Sequence, residues 1–304
     1  MIKKFLKKIL FGEADYSMDL VRYLPLSERT GRVFAVGDIH GERDIITKAL
    51  HALNFDFDRD RLLCLGDIFD RGKNPEECLD LLSKPWIDSA LGNHEFMFLN
   101  TVAPDGSLVV DGNPLFDTWM SSGGDWALKA QKIKLAQWRA LLLEKVAINW
   151  LVERKDGHRA LICHAEPDSK ELDDIFALKN RPIQPQSLLN SPALWGCSII
   201  PTIHDKSTSS LQKQKLPWIE GVLFSVHGHT QVKTAGWVNN LLFADTGAVF
   251  GNKLTLIDLD LVIPGRSNGI YSMDMATKRL VSYAGTTFHI DPKFASRFSA
   301  LDKR

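Results

Sequence analysis

RVFAVGDIHG, residues 32–41, reads as a short apolar strand halted by a glycine and followed at once by an aspartate and a histidine. The pattern then repeats. RLLCL runs into GDIFDRG (66–72), WIDSAL into GNHE (92–95), HRALIC into His164, and LFSV into HGHT (227–230). A loop at a strand end presents its side chains from a rigid scaffold into a shared crevice. Helical periodicity lies between these strands: Ile45, Ile46, Ala49, Leu50 and Leu53 over 42–53, then 75–83, 94–100 and 125–145. From about residue 218 the pattern changes to strands and turns, at 222–226, 232–237, 240–244, 253–259, 269–273 and 279–283. The last two flank Asp274–Lys278 as a hairpin. The polar stretch 200–217 reads as a loop. Alternating strands and helices followed by a strand-rich half predict an α/β (α+β) protein, two packed mixed β-sheets flanked by helices.

The five strand ends collect Asp38, His40, Asp67, Asp70, Asn93, His94, His164, His227 and His229. Of the nine histidines, only His51, His158, His204 and His289 lie elsewhere. Carboxylate, imidazole and amide oxygen suit a borderline divalent metal, and there is no thiolate set to select zinc or copper. A carboxylate can bridge two ions, and two ions about 3.5–4 Å apart clamp a phosphoryl group. Singly these motifs are weak: a Gly-Asp pair at a strand end is usually a turn, and a lone histidine is usually structural. The ordered series carries the signal.

Composition narrows the rest. Lys+Arg and Asp+Glu are 37 each, so no global charge directs the chain to nucleic acid or to an anionic membrane. Three of the four cysteines (Cys64, Cys78, Cys163) sit in apolar surroundings and read as buried free thiols of a reducing, cytoplasmic compartment; Cys197 is the fourth. Residues 1–11, MIKKFLKKILF, carry apolar residues at helical spacing opposite four lysines. Lysines interrupt the apolar run, which excludes a signal peptide. Peripheral contact of residues 1–11 with anionic lipid is the less favoured reading beside an ordinary terminal helix. The expected organisation is a leader over 1–30, one main domain over 31–258, and an extension over 259–304 that adds a hairpin to it.

The series GDIHG, GDIFDRG, GNHE, CHA, HGHT resembles the metallophosphoesterase superfamily and, within it, the phosphoprotein phosphatase family. ECLDLLSKPW before GNHE, and DTGAVFGNKLTLI after HGHT, resemble its bacteriophage lambda type and bacterial relatives. The likeness spans roughly 31–258 and implies the calcineurin-like fold. It implies that Asp38 and His40 bind one metal, that Asp67 bridges, and that Asn93, His164 and His229 complete the second site. A hydroxide activated by the two metals would attack phosphorus in line. His94 would protonate the leaving oxygen, Asp70 would orient His94, and Arg71 would grip phosphate. Mn2+ is the expected ion, with Fe and Zn compatible with the same donors.

The implied function is a serine/threonine protein phosphatase acting on phosphoproteins or small phosphate esters. The alternatives are a hydrolase of diadenosine tetraphosphate or another small nucleotide, and a weakly catalytic metal-binding docking protein. Two departures bear on this choice. LWGCS places Cys197 where the lambda type carries a phosphate-binding arginine, and Leu91 precedes GNHE where arginine is frequent. Arg181 is a candidate replacement. GDIFDRGK is not a Walker A loop, because five residues separate its glycines and no Ser/Thr follows Lys73. Cys197 lacks the Cys-x5-Arg setting of a nucleophile. His227 is open between metal ligand, a layer behind the ligands, and loop histidine. His51 and His289 read as structural, and Trp119, Trp126, Trp138, Trp150 and Trp195 as core or groove wall.

Overall fold

The computed structural model describes residues 16–167, 177, 179, 181–204, 216–282 and 286–289. Its strands are β1 (Met18–Asp19), β2 (Val21–Leu24), β3 (Val33–Val36), β4 (Arg61–Cys64), β5 (Ile87–Ala90), β6 (Val146–Ala147), β7 (Asn149–Glu153) and β8 (Arg159–Cys163). They continue as β9 (Pro182–Ile183), β10 (Phe224–His227), β11 (Gly236–Val238), β12 (Leu241–Phe243), β13 (Lys253–Asp258), β14 (Ile270–Asp274), β15 (Leu280–Ser282) and β16 (Thr286–His289). The helices are α1 (Arg43–Ala52), α2 (Pro75–Leu81), α3 (Asn93–Thr101), α4 (Pro114–Trp119), α5 (Lys132–Lys145), α6 (Pro192–Trp195) and α7 (Ile199–His204).

Two mixed sheets form, in the orders β15-β14-β13-β3-β4-β5-β6 and β16-β11-β12-β10-β8-β7-β2. All four residues of β3 are buried, as are those of β5 and β10. Strands covered on both faces need no polar alternation, which explains the unbroken apolar run of β3. Val33, Ala35, Leu63, Ala90, Ile162 and Val226 fill the space between the sheets. Their neighbours Phe34, Val36, Leu62 and Cys64 join the core shared with the helices. Helix α1 buries Ile45, Ile46, Ala49 and Leu50, the stripe its periodicity predicts.

Register positions the site. β3, β4 and β5 are parallel, with Val36 beside Cys64 and Cys64 beside Ser89. In the other sheet β8 and β10 are parallel, with Cys163 beside His227. The strands of each set therefore finish level, and their polar loops emerge together.

Several boundaries differ from the sequence expectations. Part of the expected leader belongs to the body: β1 pairs with β9, and β2 pairs in parallel with β7. The amphipathic run 1–11 lies outside the described residues. The expected helix 125–145 divides into a 3-10 turn (Asp125–Leu128) and α5. The expected strand 232–237 contracts to Gly236–Val238. The start of the expected loop 200–217 is helical, because Ile199 and Ile200 are buried and Glu166 accepts hydrogen bonds from Ser198 Oγ and Ile199 N; residues 205–215 lie outside the described set. The hairpin around 274–278 forms from β14 and β15 and extends the first sheet beyond β13. Among the described residues no helix is long and apolar enough to cross a membrane.

Candidate metal centre

The loops at the strand ends are held in costly conformations. His40, Asp67, Asp70, Arg71 and His229 all have positive φ, between 44° and 70°. Each such non-glycine residue costs about 1–2 kcal/mol, so the surroundings must fix it. His40 N donates to Asp67 O (2.9 Å) and Gly41 N to Ile68 O (2.9 Å), tying the first two loops together. The buried Glu95 carboxylate accepts from Asp67 N (2.8 Å), Ile68 N (2.9 Å) and Gly92 N (2.9 Å), tying the second to the third. Gly66, at φ 102°, admits no side chain, since a Cβ there would lie 2.6 Å from His164 Nδ1.

Asp67 stands between two groups of donors. Its Oδ2 lies 3.4 Å from His40 Nε2, and its Oδ1 lies 3.5 Å from His164 Nε2. Asn93 Oδ1 lies 3.0 Å from His164 Nε2 and 3.1 Å from His229 Nδ1. Two sets of ligating atoms, His40–Asp67–His94 and Asp67–His164–His229, each fall within 4.8 Å of one another and share Asp67. Asp38 lies outside both sets. Its Oδ2 accepts from His229 N (3.0 Å), while its buried Oδ1 has no hydrogen-bond partner.

The electrostatics call for cations. His40 Nδ1 donates to Phe69 O (3.0 Å) and His164 Nδ1 to Leu65 O (2.8 Å), so the Nε2 atoms facing Asp67 carry lone pairs. Burial holds both rings below the ordinary histidine pKa, His40 at about 3, and His229 at about 4. Burial, then Asp245 and Asp67, push Asp38 well above the carboxylate range. Burial likewise lifts Asp245 to about 6 and Glu95 to about 7. Asp67, between them, is lowered: burial opposes its charge, and His94 with the other three imidazoles outweighs burial. Crowded buried carboxylates, opposed lone pairs and an unpartnered Asp38 Oδ1 are what two divalent ions would satisfy, so the residues fit such a pair.

Beside the bridge, His94 Nδ1 donates to Asp70 Oδ2 (2.6 Å), and both side chains are fully buried. Burial pushes His94 down, but Asp67 and Asp70 more than offset it, and its pKa is raised. His94 Nε2 is buried without a hydrogen-bond partner and lies 3.8 Å from Asp67 Oδ2. Arg71 is exposed at the rim, donating from Nη1 to His40 Nε2 (2.7 Å) and from Nε to Ser122 O (3.3 Å).

Eight of the nine strand-end residues, Asp38, His40, Asp67, Asp70, Asn93, His94, His164 and His229, thus reach one place, with Arg71 beside them. His227 does not join them. Its Nδ1 donates to Ala165 O (2.6 Å) and its Nε2 meets Ser225 Oγ (2.6 Å), so both ring nitrogens are engaged away from the bridge. Sequence reasoning missed Glu95, Asp245 and the two tryptophans that bond Asp70. GNHE contained Glu95 and DTG contained Asp245, but only three dimensions show what their oxygens accept. Cys197 and Arg181 are both exposed.

Level strand ends, a shared aspartate and a histidine–aspartate pair define a metal-dependent phosphoester hydrolase. The family model for calcineurin-like phosphoesterases matches residues 31–194, and the chain belongs to that family, whose members use two divalent metals. Serine/threonine-protein phosphatase 1 of Salmonella typhimurium is 31% identical over 231 residues, 74% of this chain and 90% of that protein. A symmetrical bis(5'-nucleosyl)-tetraphosphatase of Xanthomonas oryzae is 28% identical over 285 residues, 77% of this chain and 85% of that one. In fold, the chain resembles the crystal structure of a protein provisionally described as a diadenosine tetraphosphatase, with a TM-score of 0.53 at 19% identity, covering 89% of this chain and 99% of that one.

Proposed function

We propose that the chain is a cytoplasmic serine/threonine protein phosphatase working with two Mn2+ ions. Asp38, His40 and Asp67 would hold one ion, and Asp67, Asn93, His164 and His229 would hold the other. Bound there, such ions would supply charge to lower the pKa of a water and to neutralise phosphoryl oxygens. The reading rests chiefly on the divided Asp67 carboxylate, with one oxygen 3.4 Å from His40 and the other 3.5 Å from His164.

The chain's own groups complete the chemistry. Arg71 reaches the rim and offers its guanidinium fork to phosphate oxygens. His94 is held by Asp70 through Nδ1, so Nε2 carries the mobile proton toward the bridge. Protonated, it delivers that proton to the departing serine or threonine oxygen, a poor leaving group that needs an acid. The intact pair argues against a weakly catalytic metal-binding docking protein. Buried Cys64, Cys78 and Cys163, all free thiols, fit a reducing compartment.

The Xanthomonas relative keeps the nucleotide reading in the test. Mn2+-loaded protein should release phosphate from a phosphoserine peptide with a higher kcat/KM than it cleaves diadenosine tetraphosphate. EDTA should abolish both activities. The reverse order of the two substrates would assign the enzyme to nucleotides, and chelator-resistant turnover would remove the metals from the reaction.

A further inference from the structure

Asp70 receives more than the histidine. Trp119 Nε1 donates to Oδ2 (2.8 Å), the oxygen that His94 also uses, and Trp126 Nε1 donates to Oδ1 (2.6 Å). Asp70 is fully buried, so these three donors satisfy a carboxylate that water does not reach. An indole N–H is a donor only. Neither tryptophan can accept a proton from the pair, and each restricts the rotation of the carboxylate. Oδ2 is thereby aimed at His94 Nδ1, and His94 Nε2 at the bridge.

The indoles are themselves fixed. Trp119 meets Phe98 edge-on with ring centres 5.4 Å apart, and Trp126 meets Phe69 at 6.0 Å and Trp138 at 5.9 Å. Gly124 abuts the working edge of Trp119, since a Cβ there would lie 2.4 Å from its Nε1. The same segment also holds the next residue of the loop. Ser122 O accepts from Arg71 Nε, and Gly123 O accepts from Arg71 N, each at 3.3 Å. Gly123 has φ 105°, and a Cβ on it would meet Arg71 Cγ at 2.8 Å. Residues 119–126 therefore grip Asp70 and Arg71, two consecutive residues with left-handed φ of 70° and 63°.

We propose that Trp119 and Trp126 are positioning residues of the phosphoesterase reaction, acting through Asp70 to orient His94, and that their segment holds Arg71 in the same setting. This rests on the reading of His94 as the proton donor.

The test compares Trp119→Phe and Trp126→Phe with wild type on a phosphoserine peptide and on p-nitrophenyl phosphate, whose leaving group needs little help. Each variant should lose about tenfold in kcat/KM on the peptide, the loss expected for one hydrogen bond to a charged group. On p-nitrophenyl phosphate the loss should stay within about twofold. Trp138→Phe deletes an indole from the same aromatic cluster, one that bonds Asp80 and not Asp70 (2.8 Å). It should leave the ratio of the two rates unchanged; an equal change in that ratio would overturn the proposal in favour of packing. Benzothienylalanine at 119 or 126 keeps the ring shape without the N–H and should reproduce the Phe results even if a Phe variant is unstable. A second readout does not depend on the acid role: the low-field NMR resonance of the His94 Nδ1 proton should shift in both variants. An unshifted resonance with an unchanged rate ratio overturns the proposal. His94→Asn is measured beside them. If it leaves the ratio unchanged, the acid reading fails, and the resonance alone then decides whether the indoles position the pair.

Discussion

His164 Nε2 and Asn93 Oδ1 stand 3.0 Å apart, and neither brings a proton to the contact. His164 spends its one N–H on Leu65 O, and burial keeps the ring neutral. Two buried acceptors facing each other repel unless a cation joins them. Metal removal should therefore destabilise the fold as well as stop turnover. At a hundredfold excess over Kd, a bound ion stabilises by about 2.7 kcal/mol. EDTA should lower Tm by several degrees, and Mn2+ should restore it in a calorimetric scan. A Tm indifferent to both additions would contradict a metal in this position.

Asp67→Asn tests the bridge. The amide keeps the shape but removes the charge shared by both sets and replaces one acceptor oxygen with a donor nitrogen. Metal content should fall from two ions toward none, and activity should fall with it. Elemental analysis of the purified variant decides. Two ions retained at wild-type occupancy would refute the bridging role.

His94→Asn should retain both metals. It should lower the rate on a phosphoserine peptide by about 10²–10⁴-fold, the range of general acid catalysis, with a much smaller loss on p-nitrophenyl phosphate. Steady-state kinetics on the two substrates provide the check. Equal losses would take the proton-donor role away from His94.

The fold was legible because its strands are buried on both faces and end in abrupt polar loops. RVFAV before GDIHG needed no tertiary information to be read as a strand. The gathering of the strand-end polar side chains was legible for the same reason, since register brings level strand ends together whatever lies behind them. The supporting partners were not. Trp119 and Trp126 look like core aromatics in sequence, and nothing local says that their N–H groups meet a carboxylate 49 and 56 residues away. Glu95 follows a ligand in GNHE, yet its three backbone partners come from two different loops. Val21–Leu24 reads as leader because its partner strand, β7, lies more than a hundred residues on.

Cys197→Arg asks whether the phosphate grip is incomplete. The thiol is exposed, so a longer polar side chain can be accommodated without disturbing the core. If position 197 faces the site, an added guanidinium should lower KM for phosphate esters by about tenfold, the effect of one charge-assisted hydrogen bond. kcat should change little. An unchanged KM would show that position 197 does not reach the phosphate.

The far end of the sheet sets the alignment of the near end. Asp60, just before β4, accepts from Arg32 N (2.7 Å), Arg32 Nη2 (2.6 Å) and Asp56 N (3.1 Å), and Arg32 stands just before β3. This clamp fixes β3 against β4, and so Asp38 against Asp67 at the opposite tips. Burial raises the Asp60 pKa, but Arg32 and the backbone donors outweigh it, and the net shift is downward. A carboxylate with a depressed folded pKa contributes stability above its unfolded value of about 3.9 and loses it as pH falls through the folded value. Asp60→Asn should therefore cost about 1–2 kcal/mol at pH 7, a figure reduced because the guanidinium is about one-third exposed. The difference from wild type should shrink as pH drops below about 4. Urea unfolding of the two proteins across that range measures it, and a cost that does not vary with pH would mean that packing, not charge, gives Asp60 its role.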